Sequence, residues 1–443
     1  MPAAPGPSRL QMLRDLPLIR HSLPDYLLHL SVRYGEVVFL PLLSPTYLIV
    51  GPEDIRHVLV TNPRRYHKTG GLTVGSDLLG RGLVSSEPPL HTRQRRLMSP
   101  MFHRHAVAGF AELMRDAAAA HITPWRHGQV VDLSLEMMTL TLAIVGRSLF
   151  GVDLHASARD IGLTFTRVQK LITRRQRHVP LPLWLPTPSN LGYRRDIRTI
   201  DGFIHTLISE RRRLETQPAD LLGLLLNARD EDGAPMPDGQ LRDEITTLLV
   251  AGHETVANHL VWTLYALSQH AGIESRLVAE WNRVVGGGEV TSDHLPALAL
   301  TDGVLMESLR LYPPAWTLAR RVVQEDRLPS GIPLRVGDEL LMSQYVSHRN
   351  PAVFPDPERF DPDRWTSEVR RKVPATACYP FGVGPRYCIG EPFARMEAAL
   401  ILVTIGRRFA LRLVPDQRIE KEALIVMRPR HGMRMELSRR ESA

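Results

Sequence analysis

Apolar residues recur every three to four positions along most of this chain, the pattern of helices that bury one face. Residues 25–33, 112–152 and 162–173 carry that period. So do a basic stretch that follows Pro186 and runs to about Leu214, the segment Thr301 to Leu311, and the run that opens at Glu391. Leu241 to Ser268 reads as one long apolar helix, interrupted by Ala251-Gly252-His253-Glu254-Thr255. Two short runs, Val37 to Leu40 and Tyr47 to Val50, predict strands around a proline-containing turn. Gly51-Pro52-Glu53-Asp54 then starts a helix with proline in its first turn. Turn chemistry separates these elements at 70–89 (Gly70, Gly71, Gly75, Gly80, Gly82, Pro88, Pro89), at Pro180 to Pro186, and at Asp230 to Gly239. The expected fold is mainly α with small β-sheets. Length alone suggests about three domains. No linker, repeat or composition shift marks a boundary, so a single domain over residues 1–443 is expected.

Composition narrows the classes. There are two cysteines, Cys378 and Cys388, which excludes a disulfide scaffold and points to an intracellular, cytoplasmic protein. The net charge is +8, but the arginines are dispersed and no helix-turn-helix, zinc-finger or RNA-binding pattern is present. No nucleic-acid partner is expected. Met1 to Arg20 lacks the ~20 apolar residues of a membrane helix, so no transmembrane anchor is expected.

The candidate chemistry sits in a few stretches. Cys388 lies in the glycine-rich run Phe381 to Gly390, directly before a predicted helix with Pro392 near its start. Free N–H groups and the positive end of a helix favour an anion there. A thiolate is such an anion, and a soft metal ligand. In the long apolar helix, Gly252 and Thr255 share a face. The missing side chain would leave a notch beside the hydroxyl, and the hydroxyl can bond the carbonyl of Ala251. Glu254 is a carboxylate suited to general acid work. His253-Glu254 resembles the start of a zinc-protease motif, but position 257 is Ala and His259 is wrongly spaced, so a zinc site is excluded. His91 and Arg95 are four apart and Glu307 and Arg310 three apart, each pair on one helical face.

Taken together, these stretches resemble the cytochrome P-450 family. Phe381, Gly384, Arg386, Cys388 and Gly390 fill the family's F-x-x-G-x-R-x-C-x-G loop. Ala251 to Thr255 fit its oxygen-groove motif, Glu307 and Arg310 its E-x-x-R, and Phe354 to Phe360 its P-E-R-F segment. The resemblance implies a prism-shaped fold with haem b between the oxygen-groove helix and the helix after the cysteine loop. It implies that Cys388 is the axial thiolate and metal ligand, and that Phe381 packs beneath the ring. Arg386, His91, Arg95 and Arg320 would hold the propionates. Thr255 would stabilise bound dioxygen, Glu254 would join the proton supply, and Glu307, Arg310 and Arg359 would form a buried structural charge network. The helices around Pro180 to Pro186 would form a lid. The implied activity is monooxygenation of a small hydrophobic substrate by O2, with a terpenoid, carotenoid or fatty acid as substrate. Electrons would come from a ferredoxin and a ferredoxin reductase, because no flavin or iron–sulfur segment is present. Other activities on the same fold are a peroxygenase, an isomerase, or a non-catalytic haem-binding sensor. The intact Glu254–Thr255 pair speaks against all three.

Overall fold

The computed structural model describes residues 4–69, 76–177, 182–216, 218, 220–229 and 233–440. The turn glycines Gly70, Gly71 and Gly75, Pro180 and Leu181 of the expected lid loop, and Asp230 to Asp232 lie outside these residues. Packing divides the chain into two compact units, each drawn from separate stretches. One comprises 1–70, 299–388 and 419–430; the other comprises 71–298, 389–418 and 431–443.

The first unit is built on a five-stranded sheet. Helices α1 (Arg9–Arg14), α2 (Leu16–His21) and α3 (Leu23–Tyr34) lead into strands β1 (Val37–Leu40) and β2 (Thr46–Ile49). Helix α4 (Pro52–Arg56) follows and runs into a single π-helical turn, His57–Thr61, before β3 (Tyr66–Lys68). From the middle of the chain come α12 (Ala299–Leu311), β5 (Leu318–Val322) and β6 (Glu339–Met342). The strand order is β1-β2-β6-β5-β3, antiparallel throughout except that β2 and β6 run parallel, Thr46 opposite Glu339. Leu48 and Leu340 are fully buried in the sheet, which fixes its register against the helices.

The second unit is helical. Its axis is α10 (Asp238–Gln269), 32 residues and so about 48 Å long. Its central turns are mostly buried, and polar residues such as Glu244, His253, Glu254 and Asn258 are buried there with the apolar ones. It packs against α7 (Leu133–Phe150), with the Thr141 hydroxyl donating to the His253 carbonyl at 3.0 Å. The Asp132 carboxylate caps α7 by accepting from the Ser134 N–H, and Gly151 ends the helix at φ 59°. Helix α7 has the length and apolarity of a membrane span, but most of it is buried, as befits a core helix. Around this pair lie α5 (Leu90–Met98), α6 (Ala111–Ile122), α8 (His155–Arg177), α9 (Pro188–Arg212), α11 (Ala271–Val285) and α13 (Glu391–Arg408).

The helical period over 112–152 resolves into two helices and a strand. Gly128 turns the chain at φ 74°. The next residues, β4 (Val130–Asp132), pair with β8 (Arg434–Arg439), which also pairs with β7 (Phe409–Leu413). A strand partner some 300 residues away overrides the local helical pattern. The long helix through Ala251 to Thr255 is not broken; α10 continues through it.

Candidate functional site

In the first unit the cysteine loop is held by its own backbone. The Gly382 N–H donates to Tyr379, Tyr387 to Gly384 (3.0 Å), and Cys388 to the Phe381 carbonyl at 2.9 Å. Gly382 and Gly384 both sit at φ 72°, in the region that favours glycine. A Cβ on Gly384 would stand 2.1 Å from the Leu59 carbonyl oxygen in the π-helical turn. Only a glycine lets the loop close on that turn. The loop's root is fixed by His348, whose Nε2 accepts from the Tyr379 N–H at 2.9 Å. His348 is buried beside Arg310 and Arg349, and burial together with those cations pushes its pKa down to about 3. It is therefore neutral and able to accept.

The two cysteines differ in kind. Cys378 packs beside Met306, Leu309, Phe354 and Trp365, and burial pushes its thiol up to about 12. It stays protonated. Cys388 is exposed at the end of its loop. Phe381, expected beneath a haem ring, packs against the same apolar cluster as Cys378. Arg386 closes the short helical turn before the cysteine, and Arg320 is buried on β5, its Nη1 donating to the Ala319 carbonyl.

Under this loop lies a closed polar knot. Glu307 and Arg310 are fully buried on α12. The Glu307 carboxylate accepts from Arg310 Nε (2.8 Å) and Nη2 (2.7 Å), the Asp361 N–H (2.9 Å) and Trp365 Nε1 (2.9 Å). Arg310 also donates to the carbonyls of His348, Pro357 and Arg359. All five guanidinium N–H groups are used. The expected role of Arg359 needs correcting here. Arg359 enters through its backbone carbonyl while its side chain is exposed, and the second cation near Glu307 is Arg364, at 3.5 Å. Pro357 and Arg359 present carbonyls, not side chains, to Arg310.

In the second unit, His91 and Arg95 lie one turn apart on α5, His91 buried. On α10, Thr255 Oγ1 donates to the Ala251 carbonyl at 2.8 Å. Ala251 is exposed and Thr255 half-exposed, one turn apart, within a stretch whose neighbours on both sides are buried. An open strip in the middle of a buried helix is a place where something can sit against it. Gly252 does not open a notch beside the hydroxyl. Its bare face turns to α7, where a Cβ would lie 3.2 Å from Val145, so the glycine lets the two helices approach. His253 is buried against Phe165, and burial pushes its pKa down to about 4, which keeps it neutral.

Glu254 is buried, and Gln169 of α8 donates to its Oε2 through Nε2. The two residues are 85 positions apart and no local pattern pairs them, so the sequence analysis does not name Gln169. Its one legible signal is a glutamine on the inward face of an amphipathic helix.

These residues suit a haem. An exposed, soft sulfur donor on a pinned loop fits an iron ligand. Arginines and a histidine fit carboxylate side groups.

The comparisons agree. The Cytochrome P450 family profile matches residues 4–434. Cyclooctat-9-en-7-ol 5-monooxygenase of Streptomyces melanosporofaciens is 36% identical, over 90% of this chain and 89% of its own. Pentalenene oxygenase of Streptomyces avermitilis is 36% identical over 92% and 91%. Protein LUTEIN DEFICIENT 5, chloroplastic, of Arabidopsis thaliana is 29% identical over 88% of this chain and 69% of its own. The chain belongs to the cytochrome P450 family of monooxygenases, which use haem b held by an axial cysteine thiolate.

Proposed function

We propose that the enzyme oxygenates a cyclic terpenoid, with Cys388 as the thiolate ligand of haem b and electrons drawn from a ferredoxin and its reductase. The observation that carries the assignment of the ligand is the contrast between an exposed Cys388 and a half-buried Cys378 whose thiol stays protonated. The substrate class rests on two relatives, whose names specify cyclooctat-9-en-7-ol and pentalenene. On this reading both units act as one catalytic domain. Arg386, Arg320, His91 and Arg95 neutralise the propionates.

Bound haem b supplies the activation of O2, one oxygen atom going to the substrate and the other to water. The chain supplies the protons and their timing. The Thr255 proton is committed to the Ala251 carbonyl. Its oxygen therefore accepts, and it holds a water in the open strip rather than giving up a proton itself. Glu254 is the acid. The Gln169 amide fixes its orientation and ties it to α8.

Thr255→Ala removes the acceptor and leaves the Ala251 carbonyl with its helical backbone partner alone. Consumption of NAD(P)H should continue while product per electron pair falls, on the order of tenfold, with the balance as peroxide. Full coupling in that variant would remove Thr255 from the mechanism. The substrate class is tested by titrating ferric protein with cyclic terpenoid hydrocarbons, their alcohols, and linear fatty acids. A low-to-high-spin shift at micromolar terpenoid and none with fatty acid is the expected result. The reverse order would replace the proposed class.

A further inference from the structure

A cavity of about 850 Å³ opens in the second unit, and none of its lining residues belongs to α10. It lies where α11 and α13 both end, between the loop Gly286-Gly287-Gly288 and the close of β8. Its size is that of a small-molecule site. Val278, Val290 and Ala410 give it an apolar wall. Arg407 and Arg408 reach it from the last turn of α13, and Arg439 and Arg440 from the end of β8.

The fold employs two of these four arginines. Arg407 donates to the carbonyls of Gly288 (2.7 Å) and Gly286, the cover that a helix C-terminus needs. Arg440 donates through Nε to the Gly406 carbonyl at 2.8 Å and through Nη2 to Glu274. The other two have no such task. Arg408 meets Glu289 at 3.1 Å, in an exposed pair weak enough for an incoming anion to displace. Arg439 is exposed, and its guanidinium has no partner among the described residues.

Charge is unbalanced here. Arg412 also pairs with Glu274, so five arginines stand against Glu274 and Glu289, an excess of three positive charges. The loop wall is low as well. Gly287 is outside the left-handed region, and a Cβ on it would meet nothing within 4 Å. Neither backbone nor packing calls for glycine at that position.

We propose that this cavity binds an organic phosphate monoester, its phosphate on Arg408 and Arg439 and its carbon body along Val278, Val290 and Ala410. Guanidinium forks match phosphate oxygens in pairs. A monoester carries about −1.5 to −2 charges near neutral pH, within the positive excess. Inorganic phosphate alone would leave most of the volume empty. The site is separate from the haem chemistry proposed above and does not rest on it.

The test is titration calorimetry on the holoenzyme, with AMP, glucose 6-phosphate and inorganic phosphate as probes. AMP offers a flat, partly apolar body and glucose 6-phosphate a polar one, so the tighter of the two names the kind of body. That ester should bind with a Kd at or below about 100 μM, and at least ~10-fold more tightly than inorganic phosphate. Arg439→Gln and Arg408→Gln should each weaken it by about tenfold, because each removes a charge-assisted donor. Both side chains reach the surface, so the thermal midpoint and the carbon monoxide spectrum should stay those of the parent. Arg213→Gln, at the exposed end of α9 and outside the cavity, makes the same change in net charge and should bind like the parent. Absence of binding by both esters overturns the proposal. So does inorganic phosphate binding as tightly as the better ester, undiminished binding in either cavity variant, or an equal loss in Arg213→Gln.

Discussion

Cys388→Ser protein should lose the far-red Soret band of the reduced carbon monoxide complex, and with it monooxygenase turnover by on the order of 10³-fold or more. A serine hydroxyl stays protonated at neutral pH and is a hard oxygen donor, so it cannot replace the electron push of a thiolate. The loop itself should survive. Its hydrogen bonds run through the backbone from Tyr379 to Cys388, and the exposed position loses no packing. Cys378→Ala is the matched control. That thiol lies in an apolar cluster and is held protonated, so its removal should cost some stability and leave the spectrum unchanged. A far-red band surviving in Cys388→Ser, or vanishing in Cys378→Ala, would reassign the ligand.

Glu307→Ala should leave almost no folded, haem-loaded protein. The substitution strands a guanidinium with no exposed surface, together with the Asp361 N–H and the Trp365 indole N–H. Breaking a buried pair costs about 3–5 kcal/mol, a large share of the roughly 5–15 kcal/mol that holds a domain folded. Glu307→Gln keeps the shape and one set of acceptor lone pairs, so it should fall between. Arg359→Ala should be nearly silent, because that residue serves the knot through a carbonyl that alanine retains. Soluble yield and thermal midpoint of the three variants read this directly. A severe Arg359→Ala defect would return that side chain to the network.

How far the sequence could be read depended on distance along the chain. The cysteine loop, the Thr255 hydroxyl on its own helix and the Glu307–Arg310 pair are local, and all three stood out. The partners that complete them are not local. Asp361 and Trp365 reach Glu307 from 54 and 58 residues away, and Gln169 reaches Glu254 from 85. Arg359 misled because its motif marks a turn whose carbonyls do the binding. Gly252 misled in a related way: the close approach it permits is to Val145 of another helix. The strand at 130–132 was hidden because its partner lies at the far end of the chain.

The order in which the two units collect their segments bears on biosynthesis. Residue 430 belongs to the first unit and residues 431–443 to the second. At ~5–20 residues per second, a ribosome needs roughly 20–90 s to deliver position 430. Neither unit is complete before then: β4 (Val130–Asp132) waits some 300 residues for β8 (Arg434–Arg439), so that strand stays unpaired through most of translation. Chaperone capacity and expression temperature should therefore affect the yield of this enzyme.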